Sequence, residues 1–400
     1  MMLHFLSFLK EEAEGEKLKH ITHAEDRPIQ HGAKGLEHAV NALNQAHEHM
    51  KSGGHSSALT MKYDGSPSIV FGHHPQTGKF FVASKSAFNK NPKINYTHDD
   101  IKKNHGHAPG LMDKLHASLN HLKKVAPKSG VYQGDLMYTH DDLKQGKHGK
   151  VSFTPNTIKY TAHGDDAQKI SNSKMGVIVH TQYHGKDIHS MSSDPHPDLH
   201  NFAHHPDVWH KSPNHDTKNV HYPEDKQTEY KEHIDSAQKI HDANKGTMYK
   251  ATEPHRGEGG HLEQYINHTV RTGEDAHAEG FKDFLTKKSA KDYASKVKKL
   301  KTPAGVSRAK SVSDTSLKQH QNHIDANKEH YNNLLTMHSH LQRAKNILVS
   351  HLEQHEGGLE HHIDNKRSKP EGFVVNHSGQ PTKLVNRAEF ARANLLKVRK

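Results

Sequence analysis

The apolar pattern of this chain changes period several times, and these changes restrict what it can fold into. From about residue 58 to 191 apolar residues alternate or run in short blocks, as in Ala58-Leu59-Thr60-Met61 and Met175-Gly176-Val177-Ile178-Val179. That is strand spacing. A helix near 111 to 124 interrupts it, and Phe153 to Tyr160 reads as one more strand. Residues 193 to 224 are rich in Pro, His and Asp, with Pro195, Pro197, Pro206, Pro213 and Pro223, and read as a loop or linker. Helical spacing then holds to about residue 365. Tyr230, Ile234, Ala237 and Ile240 form one stripe, and Phe281, Phe284, Leu285, Tyr293, Val297 and Leu300 mark another. Ile324, Tyr331, Leu334, Leu341, Leu348 and Leu352 predict one long helix from 316 to 356, stopped by Gly357-Gly358. An earlier helix is expected over 33 to 50, with Leu36, Val40 and Leu43 on one face. Strand spacing returns at Gly372-Phe373-Val374-Val375.

Composition narrows the function classes. The chain has 400 residues, enough for two or three domains, and only 31% are hydrophobic. A modest core under a large polar surface follows. Net charge is +11 with 44 histidines counted neutral. A basic surface of this kind suits a polyanionic partner, most simply nucleic acid, or is a solvated surface without a partner. Lys287, Lys288, Lys291, Lys296, Lys298 and Lys299, followed by Lys301, Arg308 and Lys310, concentrate the charge around a single aromatic, Tyr293. Such a cluster contacts phosphates without reading sequence, or is a solvated helix face. The absence of cysteine excludes disulfides, thiolate metal sites and cysteine nucleophiles. No apolar run is long enough to span a membrane. His351 and His355 lie four apart, and His361-His362 follow, but no His-Glu-x-x-His occurs. Histidines are spread along the whole chain, which reads as compositional bias and not as a zinc site.

The segment Lys62-Tyr63-Asp64-Gly65 reads as a strand end and a tight turn that holds a lysine in place. A lysine held neutral at the moment of attack is a nucleophile. Its companions come in a fixed order: Ser84-Lys85-Ser86, Gly134-Asp135 inside an apolar strand, Val177 to Tyr183, Glu371-Gly372, and Thr382-Lys383-Leu384-Val385-Asn386-Arg387. The ordered set resembles the covalent nucleotidyltransferase superfamily of ATP-dependent DNA ligases, RNA ligases and mRNA capping enzymes. In that comparison the segments look like motifs I, Ia, III, IIIa, IV and V. The resemblance covers the first half of the chain and its closing strands.

The resemblance implies attack by the Lys62 amine on a nucleotide α-phosphate, loss of pyrophosphate and a lysyl-nucleotide. It implies that Asp64 orients the amine or contacts the metal, beside Gly65. Asp135 and Glu371 would bind Mg²⁺, directly or through water, or contact the ribose. Lys85 and Lys383 would neutralise phosphate charge as pyrophosphate departs. ATP and Mg²⁺ are the implied cofactors. The chain departs from the family pattern at Pro67, where an arginine is common, at Asp135, where glutamate is usual, and at Val385, where a second lysine is usual. Arg387 is a candidate to compensate for the last. These changes leave lysine nucleotidylation intact and weigh on the strand-sealing step.

The implied fold is α+β: an antiparallel-sheet, ligase-like nucleotidyltransferase domain with a large all-helical insertion. Residues 1–30 would form an N-terminal helix and lead-in, 31–192 the first part of the nucleotidyltransferase domain, 193–365 the Pro/His-rich loop and helical insertion, and 366–400 the closing strands and a C-terminal helix. The chain ends soon after Lys383, so no C-terminal OB-fold of the DNA ligase kind is expected. With Pro67, that tilts the expectation to an RNA ligase-like end-joining enzyme, with RNA ahead of DNA as partner. AMP transfer to a protein or small molecule is the alternative. A further one is a packaged, basic nucleic-acid-binding head protein with a degenerate ligase domain. The lead-in Thr22-His23-Ala24-Glu25-Asp26 looks like that of uncharacterised phage ligase-like proteins. Residues 1–11, with Phe5, Phe8, Leu9 and Glu11, are similar to head-targeting peptides of T-even-type phages, or form an ordinary amphipathic helix. The first option implies a prohead scaffold and protease as partners. The expected location is the cytoplasm of an infected bacterial host or the virion interior.

Overall fold

The computed structural model describes residues 21–53, 55–244 and 246–387. The head-targeting segment 1–11 and nearly all of the expected C-terminal helix lie outside these residues. The fold is mixed α+β with antiparallel sheets. It divides into two compact units. Among the described residues the first holds Ile21, 49–220 and 352–383, and the second holds 22–48, 221–351 and 384–387. The cuts therefore fall at 21, 48, 220, 351 and 383, against expected cuts at 30, 192 and 365.

Two physical facts move the cuts. The helix Arg27–Ser52 is expected to open the strand domain, but its face packs within the helical unit. His47 stacks on Tyr230 with ring centroids 4.5 Å apart, and Tyr230 Oη donates to Asn44 Oδ1 at 2.8 Å. The segment 193–220 is not a linker. Val208–Lys211 joins a sheet parallel to Met175–Ile178, Asn214–Asp216 pairs with the strand His55–Lys62, and Phe202, Val208 and Trp209 are buried.

The strand unit holds three sheets. The first runs Gln380–Leu384, Gly372–His377, His55–Lys62, Asn214–Asp216. Glycine 372 sits opposite Lys62 in register, so a strand from the end of the chain is laid beside the lysine. The second runs Ser192–Asp194, Met175–His184, Val131–Thr139, Ser68–His73, Phe80–Ala83. The third runs Lys366–Ser368, Leu359–Ile363, Lys159–Ala162, Val151–Phe153, Lys144–Gln145. Alternation puts Ile69, Phe71, Tyr132, Val177 and Val179 in one core with Ile101 and Leu115 of the helices His98–His105 and Pro109–His121. Val70, Phe81 and Val131 enter a second core. Each such side chain contributes about 1.5–3 kcal/mol on full burial.

The helical unit is built from Arg27–Ser52, Glu224–Asn244, His261–Thr272, Ala278–Val297, Pro303–Ala326 and Lys328–Leu352, with shorter turns between them. Gly32, at φ 62°, breaks the first of these near its start, in a region closed to most side chains. The long helix expected over 316 to 356 is two helices. Asn327 leaves helical geometry at φ −123° and ψ 23°, and its Nδ2 donates to the His323 carbonyl at 2.9 Å. An asparagine side chain competing for a backbone acceptor is a common helix terminator. The lead-in is a buried charge network. Glu25 and Lys345, both fully buried, pair at 2.6 Å, while Asp26 accepts from Arg387 at 2.9 Å and pairs with His338 at 3.0 Å. Arg387 is thereby committed to Asp26 and Asn267, not to a phosphate site. The positive partners hold both carboxyls below their ordinary range against the opposing effect of burial.

Candidate active site

The lysine strand His55–Lys62 ends where the turn Tyr63-Asp64-Gly65 begins, so Lys62 stands at a strand end with its backbone fixed by sheet pairing. Lys62 Nζ donates to Glu371 Oε1 at 2.5 Å. Both side chains are largely buried, at 28% and 20% exposure. Glu371 Oε2 is buried with no hydrogen-bond partner. Burial pushes the Glu371 carboxyl above its ordinary value; Lys62 and Lys383 pull it back only in part, and the Asp64 charge pushes it further up. A carboxyl poised in this way is a better proton acceptor than a solvated one.

Asp135 comes from the neighbouring sheet, on the strand Val131–Thr139 opposite Ser68. It lies 3.5 Å from His180 Nε2. Burial alone would raise its pKa, but His180, the Ser68 hydroxyl and Lys62 outweigh that and hold it below the ordinary carboxylate value. His180 is aimed by a β-bulge: Gln133 pairs with Thr181 and Gly134 with Val179, which leaves His180 as the extra residue. Lys62, Lys85, Gln133, Asp135 and His180 line one cavity of about 230 Å³, walled by Thr60 and Val374 of the first sheet and Ile178 and Tyr183 of the second. Lys85 is exposed at the start of a short turn whose preceding residue, Ser84, accepts from the Ser86 backbone. Lys383 sits on the strand Gln380–Leu384, where its charge acts on Glu371.

Two turn residues are explained by packing. A Cβ at Gly65 would lie 2.6 Å from the Asp135 Cβ and 3.0 Å from the Met137 sulfur, so only glycine lets the turn pass this close to the acid strand. Asp64 is engaged away from the amine. Its carboxylate accepts from Asn156 Nδ2 at 2.8 Å and from the backbone N–H groups of Thr157 and Ile158 at 2.6 and 2.9 Å. Its own N–H donates to Tyr160 Oη at 2.7 Å. Asp64 thus clamps the turn to the third sheet, and it is Glu371 that touches the amine.

The fold therefore brings Lys62, Lys85, Asp135 and Glu371 together from positions up to three hundred residues apart, with Lys383 beside them. The basic cluster belongs to the helical unit: Lys287, Lys288, Lys291 and Lys296 on the helix Ala278–Val297, then Lys298 and Lys299 at the turn into Pro303–Ala326. Lys288 pairs with Asp292 at 3.1 Å, and the other five are exposed. His180 and Gln133 were not expected in the site. A histidine and a glutamine inside otherwise apolar strands were the available signals, and the bulge that turns His180 inward has no mark in the sequence.

A mixed α+β protein with a half-buried lysine–glutamate pair over a two-sheet cavity is the class these observations define. The chain belongs to a family of unknown function (DUF6267), whose model matches residues 18–399. No curated protein and no solved structure matches it. No helix among the described residues is long and apolar enough to cross a membrane.

Proposed function

We propose that this protein is an ATP- and Mg²⁺-dependent nucleotidyltransferase that works through a lysyl-AMP on Lys62 and passes the AMP to a nucleic-acid end in the manner of an RNA ligase. The observation that carries the reading is the 2.5 Å contact between Lys62 Nζ and Glu371 Oε1 at the edge of a cavity shared with Asp135 and Lys85. An amine in that position must lose a proton before it attacks. The Glu371 carboxyl, raised by burial, is the nearest acceptor. The Lys62 nitrogen lone pair forms a bond to the α-phosphorus. The bond from that phosphorus to the bridging oxygen breaks, and pyrophosphate leaves with the electron pair. Asp135, with its carboxyl held ionised, suits a divalent cation on the phosphates. Lys85 and Lys383 supply positive charge for the departing pyrophosphate. The orphaned Glu371 Oε2 leaves one acceptor for a ribose hydroxyl or a metal-bound water.

The exposed lysines Lys287, Lys291, Lys296, Lys298 and Lys299 are suited to a phosphate backbone, and this favours nucleic acid over a small molecule as AMP acceptor. The test is incubation with α-labelled ATP and Mg²⁺, then denaturing electrophoresis, then a chase with 5′-phosphorylated RNA or DNA. Label on the wild type, none on Lys62→Ala, and release of the label as an adenylylated nucleic-acid end is the expected result. Label that persists in Lys62→Ala removes the assignment of the nucleophile. Label that chases only to protein or small molecules removes the nucleic-acid acceptor.

A further inference from the structure

The helical unit carries a second cluster of chemistry that the lysine site does not use. His255 ends a short turn, Glu253–His255; His261 opens the helix His261–Thr272; His320 lies on the helix Pro303–Ala326. Each offers a ring nitrogen, and the three nitrogens lie within 4.8 Å of one another. His255 is buried, and its Nδ1 is hydrogen-bonded to Tyr331 Oη. Its Nε2 lies 2.9 Å from His320 Nδ1. His261 and His320 both line a cavity of about 260 Å³, together with Lys288, Asp292 and Lys296.

We propose that His255, His261 and His320 form a zinc site, with the fourth coordination position open to this cavity. Three arguments support it. Tetrahedral zinc with nitrogen ligands at about 2.0–2.1 Å places those nitrogens about 3.3 Å apart, a spacing that small side-chain movements reach from the arrangement seen. A ligating histidine characteristically donates its other N–H to a fixed partner, and Tyr331 fills that role for His255. No cysteine and no carboxylate belongs to the triad, and an all-imidazole set suits zinc, as it does copper or nickel. A bound ion would tie three separate helical elements together next to the basic cavity wall.

Nearby His323 is not among the three rings whose nitrogens converge, and its Nε2 is hydrogen-bonded to the Ala251 carbonyl at 2.8 Å. With 44 histidines in the chain, adventitious metal binding is expected elsewhere, so the test must be a difference between proteins. Tag-free full-length protein, its His261→Gln/His320→Gln variant and Tyr331→Phe would each be stripped, reloaded with one equivalent of Zn²⁺ or Co²⁺ and dialysed. The wild type should keep one equivalent that the double variant loses, and should show an intense visible Co²⁺ band of low coordination number. Zn²⁺ should raise the melting temperature of the wild type but not of the double variant, whose metal-free melting temperature checks that it folds. Tyr331→Phe should weaken zinc about 10-fold. Equal retention and equal thermal shift in wild type and double variant would overturn the site, as would a wild type that keeps no metal.

Discussion

Lys62 and Glu371 make the most consequential contact at the scale of single residues. Its geometry was legible in part. The lysine, the acid and their order are in the sequence, but which acid touches the amine is not. Asp64, two residues away, is drawn off by three donors of the 156–158 loop, and Glu371 takes its place through strand pairing of Gly372 with Lys62. Pairing across three hundred residues leaves no local trace. The raised Glu371 carboxyl gives a pH prediction. A group raised in the protein takes up its proton at higher pH than a free glutamate. Loss of lysine nucleotidylation on acidification should therefore begin above the ordinary glutamate range. Glu371→Gln should lower the initial rate of label incorporation ~100-fold or more and remove that acid limb. A pH–rate profile of Glu371→Gln that matches the wild type would mean that another group takes the proton.

Among elements, the sequence was most readable where a face is periodic and least readable where a few polar atoms decide. Leu36, Val40 and Leu43 mark the first helix, and all three are buried. The helix His98–His105 was not expected, although Thr97 and Asp100 form a capping box that its sequence already contained. The helix Gly164–Asn172 was missed as well. The break at Asn327 and the strand Val208–Lys211, hidden in a Pro- and His-rich stretch, depend on tertiary partners that local pattern does not reveal. Two predictions belong to this scale. Charge reversal at Lys296, Lys298 and Lys299, all exposed near the turn after Val297, should weaken nucleic-acid binding ~10-fold or more at moderate salt and flatten its salt dependence. Self-nucleotidylation of Lys62 should survive. Filter binding across a salt series decides it, and an unchanged slope would make the cluster a solvated face. Lys345→Ala should destabilise the helical unit by about 3–5 kcal/mol, because it leaves the fully buried Glu25 with only a longer, 3.8 Å ion pair to Arg387, which is itself committed to Asp26. Chemical denaturation measures this, and a loss below 1 kcal/mol would show that Glu25 finds another partner.

At the scale of the whole molecule, buried ionisable groups make the fold acid-sensitive. His215 and His361 in the strand unit are buried and held at about 4, mainly by burial. His23 in the helical unit is likewise lowered to about 4. In the unfolded chain each takes up a proton near 6.5. The unfolded state binds more protons between those values, so the stability from these groups is complete above about pH 6.5. It falls as pH drops toward 4, by up to roughly 3 kcal/mol per histidine. Asp26 and Glu25, lowered by their partners, add a further loss below the ordinary carboxylate range. Thermal melts from pH 8 to 4 should show a plateau and then a steady decline that starts near 6.5. A melting temperature independent of pH down to 5 would contradict the burial assigned to these rings. The division into a strand unit and a helical unit was legible as a change of apolar period. Where the chain crosses between them was not, because the helix Arg27–Ser52 and the strand Val208–Lys211 are assigned by what they pack against. The central claim remains chemical, and peptide mass spectrometry after incubation with ATP and Mg²⁺ tests it most directly. An adenylyl group on the peptide that contains Lys62, strongly reduced in Glu371→Gln at equal incubation time and absent without Mg²⁺, is the predicted result. An unmodified Lys62 after incubation with every nucleoside triphosphate, or a nucleotide carried on another residue, would contradict it.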